Sequence, residues 1–100
     1  MDRRTDLRTE LRMDLRRMRY FSVLAEELNF TRAAGRLRIA QPALSQQVKA
    51  LERQLGVELV ERTGKGCALT PVGRAVAEEA RRVLREVAAA EERLAAVVQG

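Results

Sequence analysis

Between Gln41 and Arg53 the sequence QPALSQQVKALER places amide, hydroxyl and cationic side chains at helical steps. At about 100° per residue, Leu44, Val48, Leu51 and Leu55 line one face. Pro42, Gln46, Lys49 and Arg53 fall opposite, with Ser45 beside them and Gln41 at the N-terminal end. Gln can address adenine through two hydrogen bonds, Ser can donate or accept, and Lys and Arg meet guanine or phosphate oxygens. The N-terminal turns of a helix lying in the major groove are the part that reaches base edges. The same residues also suit a plain solvated face, and spacing alone leaves both possibilities open. Gly64-Lys65-Gly66 is a second basic feature, small enough to approach a minor groove or phosphates, or simply to turn a hairpin. The spacing of a Walker loop is missing there.

The elements that must position these residues follow from hydrophobic period and capping signals. Leu15, Met18, Phe21, Leu24, Ala25 and Leu28 predict a first helix over roughly 15–28, ended by Asn29. Thr31 is the expected N-cap of a short second helix, about 31–38, carrying Ala33, Ala34 and Leu37. A third helix runs over about 41–55, with Pro42 in its first turn and Gly56 as a left-handed stop. Leu59-Val60 and Cys67-Ala68-Leu69 flank the Gly-Lys-Gly tip as a two-stranded hairpin. Thr70-Pro71 opens a fourth helix that nothing breaks before Gly100. From 71 to 98 it would be about 42 Å long. The expected fold is mainly α: a winged helix-turn-helix of three helices plus a two-stranded wing, followed by a long dimerisation helix. The corresponding divisions are a disordered tail over 1–12, a DNA-binding domain over 13–70 and a linker helix over 71–98, with Met13 as an alternative start.

Charge supports a polyanionic partner. Lys and Arg number 19 against 14 Asp and Glu, a net charge of +5. Residues 1–40 carry ten bases and six acids, residues 41–70 four and three, and residues 71–100 five and five. Polyanion binding therefore belongs before residue 71. The chain has no His and a single cysteine, Cys67. A His-dependent triad, a zinc finger and an internal disulfide are excluded, and no catalytic residue, metal ligand or cofactor is expected. Cys67 is expected to be a small apolar strand residue. No apolar run approaches the roughly 20 residues needed to span a bilayer, so no membrane partner is expected and the expected location is cytoplasmic, on the nucleoid.

Several stretches together resemble the DNA-binding domain of LysR-type transcriptional regulators. They are Tyr20-Phe21, Phe30-Thr31-Arg32-Ala33-Ala34, Ile39 through Val48, Leu51-Glu52, Leu55-Gly56-Val57, Glu61-Arg62-Thr63 and Leu69-Thr70-Pro71-Val72-Gly73. The likeness covers about Met13 to Val98, and the combined motif is specific where no single part is. It implies a winged helix-turn-helix whose linker helix pairs with a second subunit. It implies that Gln41, Pro42, Ser45 and Gln46 face the major groove, that Thr31 anchors a phosphate and that Lys65 enters the minor groove. Arg32, Lys49 and Arg53 complete the candidate phosphate contacts. Three positions depart from the family pattern. Ala40 stands where Ser is common, at a cost of roughly 1 kcal/mol in capping. Gln46 stands where Arg is frequent, and Val60 where Phe is common. Family members usually carry a larger effector-binding domain after the linker. This chain ends about where that would begin, so it reads as a DNA-binding fragment or a natural short form, with no small-molecule inducer site expected.

In the last third, Val76, Ala80, Val83, Val87, Ala90, Leu94 and Val97 alternate steps of four and three, with Leu84 and Val98 widening the stripe. Such a heptad seam predicts a homodimer. Its first turns can instead pack on their own domain, but the chain is too short to cover the rest. A two-fold dimer predicts an inverted-repeat site in double-stranded DNA. A protein-interaction coiled coil without a DNA role is the competing possibility, and the charge split argues against it.

Overall fold

A computed structural model describes residues 14–100. The tail expected over 1–12 and the alternative start at Met13 lie outside the described residues. Helix α1, Leu15–Glu27, begins where the Asp14 carboxylate accepts from the backbone N–H of Arg16 and Arg17, at 3.0 and 3.2 Å. It closes at Leu28, which takes the left-handed conformation, φ 52°, and donates its N–H to the Leu24 carbonyl.

Helix α2, Phe30–Leu37, starts one residue earlier than expected, because Asn29 is its N-cap and not Thr31. The Asn29 side chain accepts from Arg32 N–H at 2.9 Å. Asn outranks Thr as a cap, and the left-handed turn at Leu28 leaves Asn29 extended, ready for that role. Arg38, φ 58°, ends α2 and turns the chain into α3, Gln41–Leu55. Ala40 gives α3 no side-chain cap, as the missing hydroxyl predicts, and Gly56, φ 74°, stops it.

The wing is strand β1, Val60–Thr63, antiparallel to β2, Gly66–Leu69, with Arg62 opposite Cys67 and Thr63 opposite Gly66. The tip is thus the pair Gly64-Lys65, and Gly66 belongs to the ladder. Gly66 has φ 150°, and a Cβ there would overlap the Leu28 carbonyl oxygen. That carbonyl accepts from Cys67 N–H at 3.0 Å, so the end of α1 seats the wing. The Glu52 carboxylate of α3 seats it from the other side, accepting from Leu59 N–H at 2.8 Å and Val60 N–H at 3.4 Å.

Helix α4, Pro71–Gln99, opens as expected on Thr70, whose hydroxyl accepts from Gly73 N–H at 2.9 Å and donates to the Glu58 carbonyl at 2.8 Å. Gly73 permits this start, since any side chain would overlap the backbone carbonyl of Leu59. The core gathers Phe21, Leu24, Leu44 and Leu59, all fully buried, with Phe30, Ala33, Ala34, Val48, Leu51, Cys67 and Ala77 around them. Burying a side chain of the Leu or Phe class is worth about 1.5–3 kcal/mol, so α1, α3 and the wing are held by one shared centre. Cys67 is the small apolar strand residue expected; burial pushes its thiol pKa up, partly opposed by the Arg62 cation.

Candidate nucleic-acid interface

Because Leu44, Val48 and Leu51 are drawn into the core, the opposite face of α3 is turned outward. Pro42, Gln46, Lys49 and Arg53 are exposed there, and Gln41 and Ser45 are half-buried at the start of the helix. One helical turn apart, they meet: Gln41 Nε2 donates to Ser45 Oγ at 3.0 Å. Thr31 and Arg32 lie exposed in the first turn of α2, and Lys65 is exposed at the wing tip. Thr31 therefore keeps a free surface position although it is not the cap. Arg32 shares its charge with Glu27, Nε to Oε1 at 3.6 Å, on an open surface where such pairs contribute about 0–1 kcal/mol. Lys65 makes no side-chain bond to α3; its backbone N–H donates to Thr63 Oγ1 at 3.3 Å, which shapes the tip.

Three residues important to this surface were not singled out from the sequence. Arg62 on β1 donates from Nη2 to Ser45 Oγ at 3.2 Å, with its guanidinium 4.2 Å above the centre of the Phe30 ring. Strand register contained the signal, because Arg62 pairs with buried Cys67 and directly opposed residues share a sheet face. Glu52 holds the entrance to the wing. Arg17 of α1 donates to the side-chain oxygens of Gln47 at 3.1 Å and Gln54 at 3.4 Å on α3. It therefore ties a basic residue to scaffolding instead of leaving it for a polyanion.

The expected seam divides in two. Ala80 is buried against its own domain, and Val76 packs on the same core, so these two are not free for a partner. Val83, Val87 and Ala90 are half-buried, whereas Leu94, Val97 and Val98 are 63%, 77% and 83% exposed. An apolar cavity of about 320 Å³ lies beside the buried half, between α1, the end of α3 and α4, with Phe21, Leu55, Val76 and Val83 among its walls. Among the described residues, no group of three His, Cys, Asp or Glu side chains is placed to hold a metal. No helix among them is long and apolar enough to cross a membrane.

Residues 15–74 match the family model for bacterial regulatory helix-turn-helix proteins of the lysR family. The chain is 44% identical over 90 residues to the uncharacterised HTH-type transcriptional regulator YnfL of Escherichia coli K12, covering 90% of this chain and 30% of that protein. It spans less than a third of the length of this and several further curated relatives. Its fold superposes on the BenM DNA-binding domain in a structure titled as a complex with catB site 1 DNA. The TM-score is 0.84 at 39% identity, over 88% of this chain and 99% of that one. The CbnR DNA-binding domain, also titled as a DNA complex, gives a TM-score of 0.79 at 41% identity, over 86% and 99%. Four helices, a two-stranded wing and this agreement in sequence place the chain in the LysR family of bacterial regulatory helix-turn-helix proteins.

Proposed function

We propose that this chain binds double-stranded DNA sequence-specifically, as the DNA-binding domain and linker helix of a LysR-type transcription regulator. Helix α3 enters the major groove with Gln41, Pro42, Ser45 and Gln46 toward the bases. Thr31, Arg32, Lys49 and Arg53 meet phosphates, and Lys65 meets phosphates or the minor groove. The observation that carries this proposal is the outward polar face of α3, which the wing meets where Arg62 bonds Ser45. The relatives are named transcriptional regulators and the similar domains are titled as DNA complexes, which supports the same partner. No catalytic residue, metal or cofactor enters the proposal, and no inducer site is assigned to this chain. Its place is the cytoplasm, on the nucleoid.

A second copy pairs through α4, along Val83, Val87, Ala90, Leu94 and Val97, with Val76 and Ala80 flooring the adjoining groove. The support is the run of exposed apolar residues at the end of α4, which no other part of the described chain covers. Two recognition helices related by a two-fold axis call for an inverted-repeat site, with half-sites separated by whole helical turns.

Matched titrations of Gln41→Ala and Lys65→Ala test the base-facing assignment, on a duplex selected from random DNA and on its scramble at several salt concentrations. Gln41→Ala is expected to cost about 1–3 kcal/mol on the selected duplex and little on the scramble. Lys65→Ala is expected to weaken both and to lower the salt slope by about one. Equal losses on both duplexes for Gln41→Ala would show that α3 does not read sequence through that residue.

A further inference from the structure

The contact between the wing and α3 has consequences for which base is read. A serine hydroxyl offers two lone pairs and one hydrogen. In this protein two donors point at Ser45 Oγ: Gln41 Nε2 at 3.0 Å and Arg62 Nη2 at 3.2 Å. With both lone pairs engaged, the hydroxyl can act outward only as a donor. The Gln41 amide spends one of its two N–H bonds on Ser45, so its carbonyl oxygen remains to accept, with the second N–H beside it. Arg62 is itself held by the Phe30 ring beneath its guanidinium, 4.2 Å from the ring centre. The attraction of the cation to the ring face holds the guanidinium in that position.

We infer that Arg62 is a specificity-determining positioning residue, which acts through Ser45 to present an acceptor beside a donor at the start of α3. This rests on the assignment of Gln41 and Ser45 to the bases. The complementary base edge carries a donor beside an acceptor, and in the major groove that is adenine, with N6–H₂ and N7. Guanine offers two acceptors there, thymine one acceptor and cytosine one donor. Without the Arg62 donor, one lone pair of Ser45 is freed, the hydroxyl rotates, and the Gln41 amide is no longer oriented. The pair then accepts several edges. The wing thereby acts on sequence preference without touching a base at that position.

The test uses the whole chain and a duplex selected from random DNA by the unaltered protein. Arg62→Met, Ser45→Ala and the double variant are titrated on that duplex and on its three single-base-pair variants at each position under α3. A duplex with 7-deazaadenine, which lacks the N7 acceptor, is included. The methionine keeps an apolar stem over Phe30 and Cys67. Arg62→Leu serves as a second replacement, so that a folding defect of one variant is separated from the lost donor.

The unaltered protein is expected to prefer adenine at one position by about tenfold and to lose a similar factor on 7-deazaadenine. Arg62→Met and Ser45→Ala each remove most of both effects, and the double variant loses nothing more. If Ser45→Ala abolishes the adenine preference while Arg62→Met keeps it, the inference about Arg62 fails and the base-facing assignment survives. If Arg62→Met weakens every duplex alike and lowers the salt slope by about one, Arg62 is a phosphate ligand and the inference fails. If Ser45→Ala leaves base preference intact, the base-facing assignment of Ser45 fails, and the inference with it.

Discussion

Helices α3 and α4 are both amphipathic, yet their outward faces are in opposite physical states. The exposed side of α3 carries Gln46, Lys49 and Arg53, groups that water satisfies fully. Nothing forces a partner onto it, and a ligand must compete with solvent for each contact. The distal half of α4 carries Leu94, Val97 and Val98 into water, where their burial would be favourable against almost any apolar surface. A polar exposed face is consistent with reversible, selective exchange, and an apolar one with lasting association. The two ends of the molecule are therefore built for different kinds of partner.

The N-termini of the two helices differ in a parallel way. Helix α4 starts on Thr70, which accepts from Gly73 N–H and donates to the Glu58 carbonyl, fixing the helix to the end of α3's loop. Helix α3 starts on Ala40, with no side-chain bond at all. The start of α3 thus has no side-chain cap; Pro42 has no N–H to offer, and Ala43 N–H donates to the Ala40 carbonyl at 3.0 Å. That end is also the positive pole of the helix dipole, which favours an anion approaching it.

The largest effect that could break this comparison is expected at the seam. Val87→Asp combined with Leu94→Asp removes apolar burial worth about 1.5–3 kcal/mol per side chain, in both subunits. Light scattering is expected to report a monomer while circular dichroism stays helical. A variant that remains dimeric would mean that the distal half of α4 is not the association surface. A smaller effect is expected at Thr70. Thr70→Ala loses the cap and a second bond together, and a destabilisation of about 1–2 kcal/mol should appear in denaturant unfolding. The smallest effect sharpens the contrast. Ala40→Ser should gain at most about 1 kcal/mol of stability, and its titration on DNA shows whether an uncapped α3 matters for binding. If Ala40→Ser raises stability and leaves DNA affinity unchanged, the open N-terminus has no part in phosphate capture.

Much of this is legible in the sequence alone. The period of Leu44, Val48, Leu51 and Leu55 defined α3, Gly56 marked its end, and Thr70-Pro71 marked the start of α4. Each of these signals acts within a few residues, as does the lack of a cap at Ala40. The error at Thr31 was also local in origin. Two capping residues, Asn29 and Thr31, stand close together, and the choice between them depends on how α1 ends. Leu28 made that choice by turning left-handed, a conformation unusual for its residue type.

By itself, then, the sequence determined the order and limits of the helices, the polar face of α3, the basic wing tip and the apolar stripe of α4. Periodicity, caps and glycines are short-range physics, and they need no knowledge of what packs where. Only the tertiary structure decided which residues meet across elements. It placed Arg62 on Ser45 and Phe30, Glu52 on the Leu59 and Val60 amides, and Gly73 under the Leu59 carbonyl. It also divided one continuous stripe of α4 into a half that α1 covers and a half left in water. Those outcomes depend on the distance and direction between segments remote along the chain, and no local pattern encodes either.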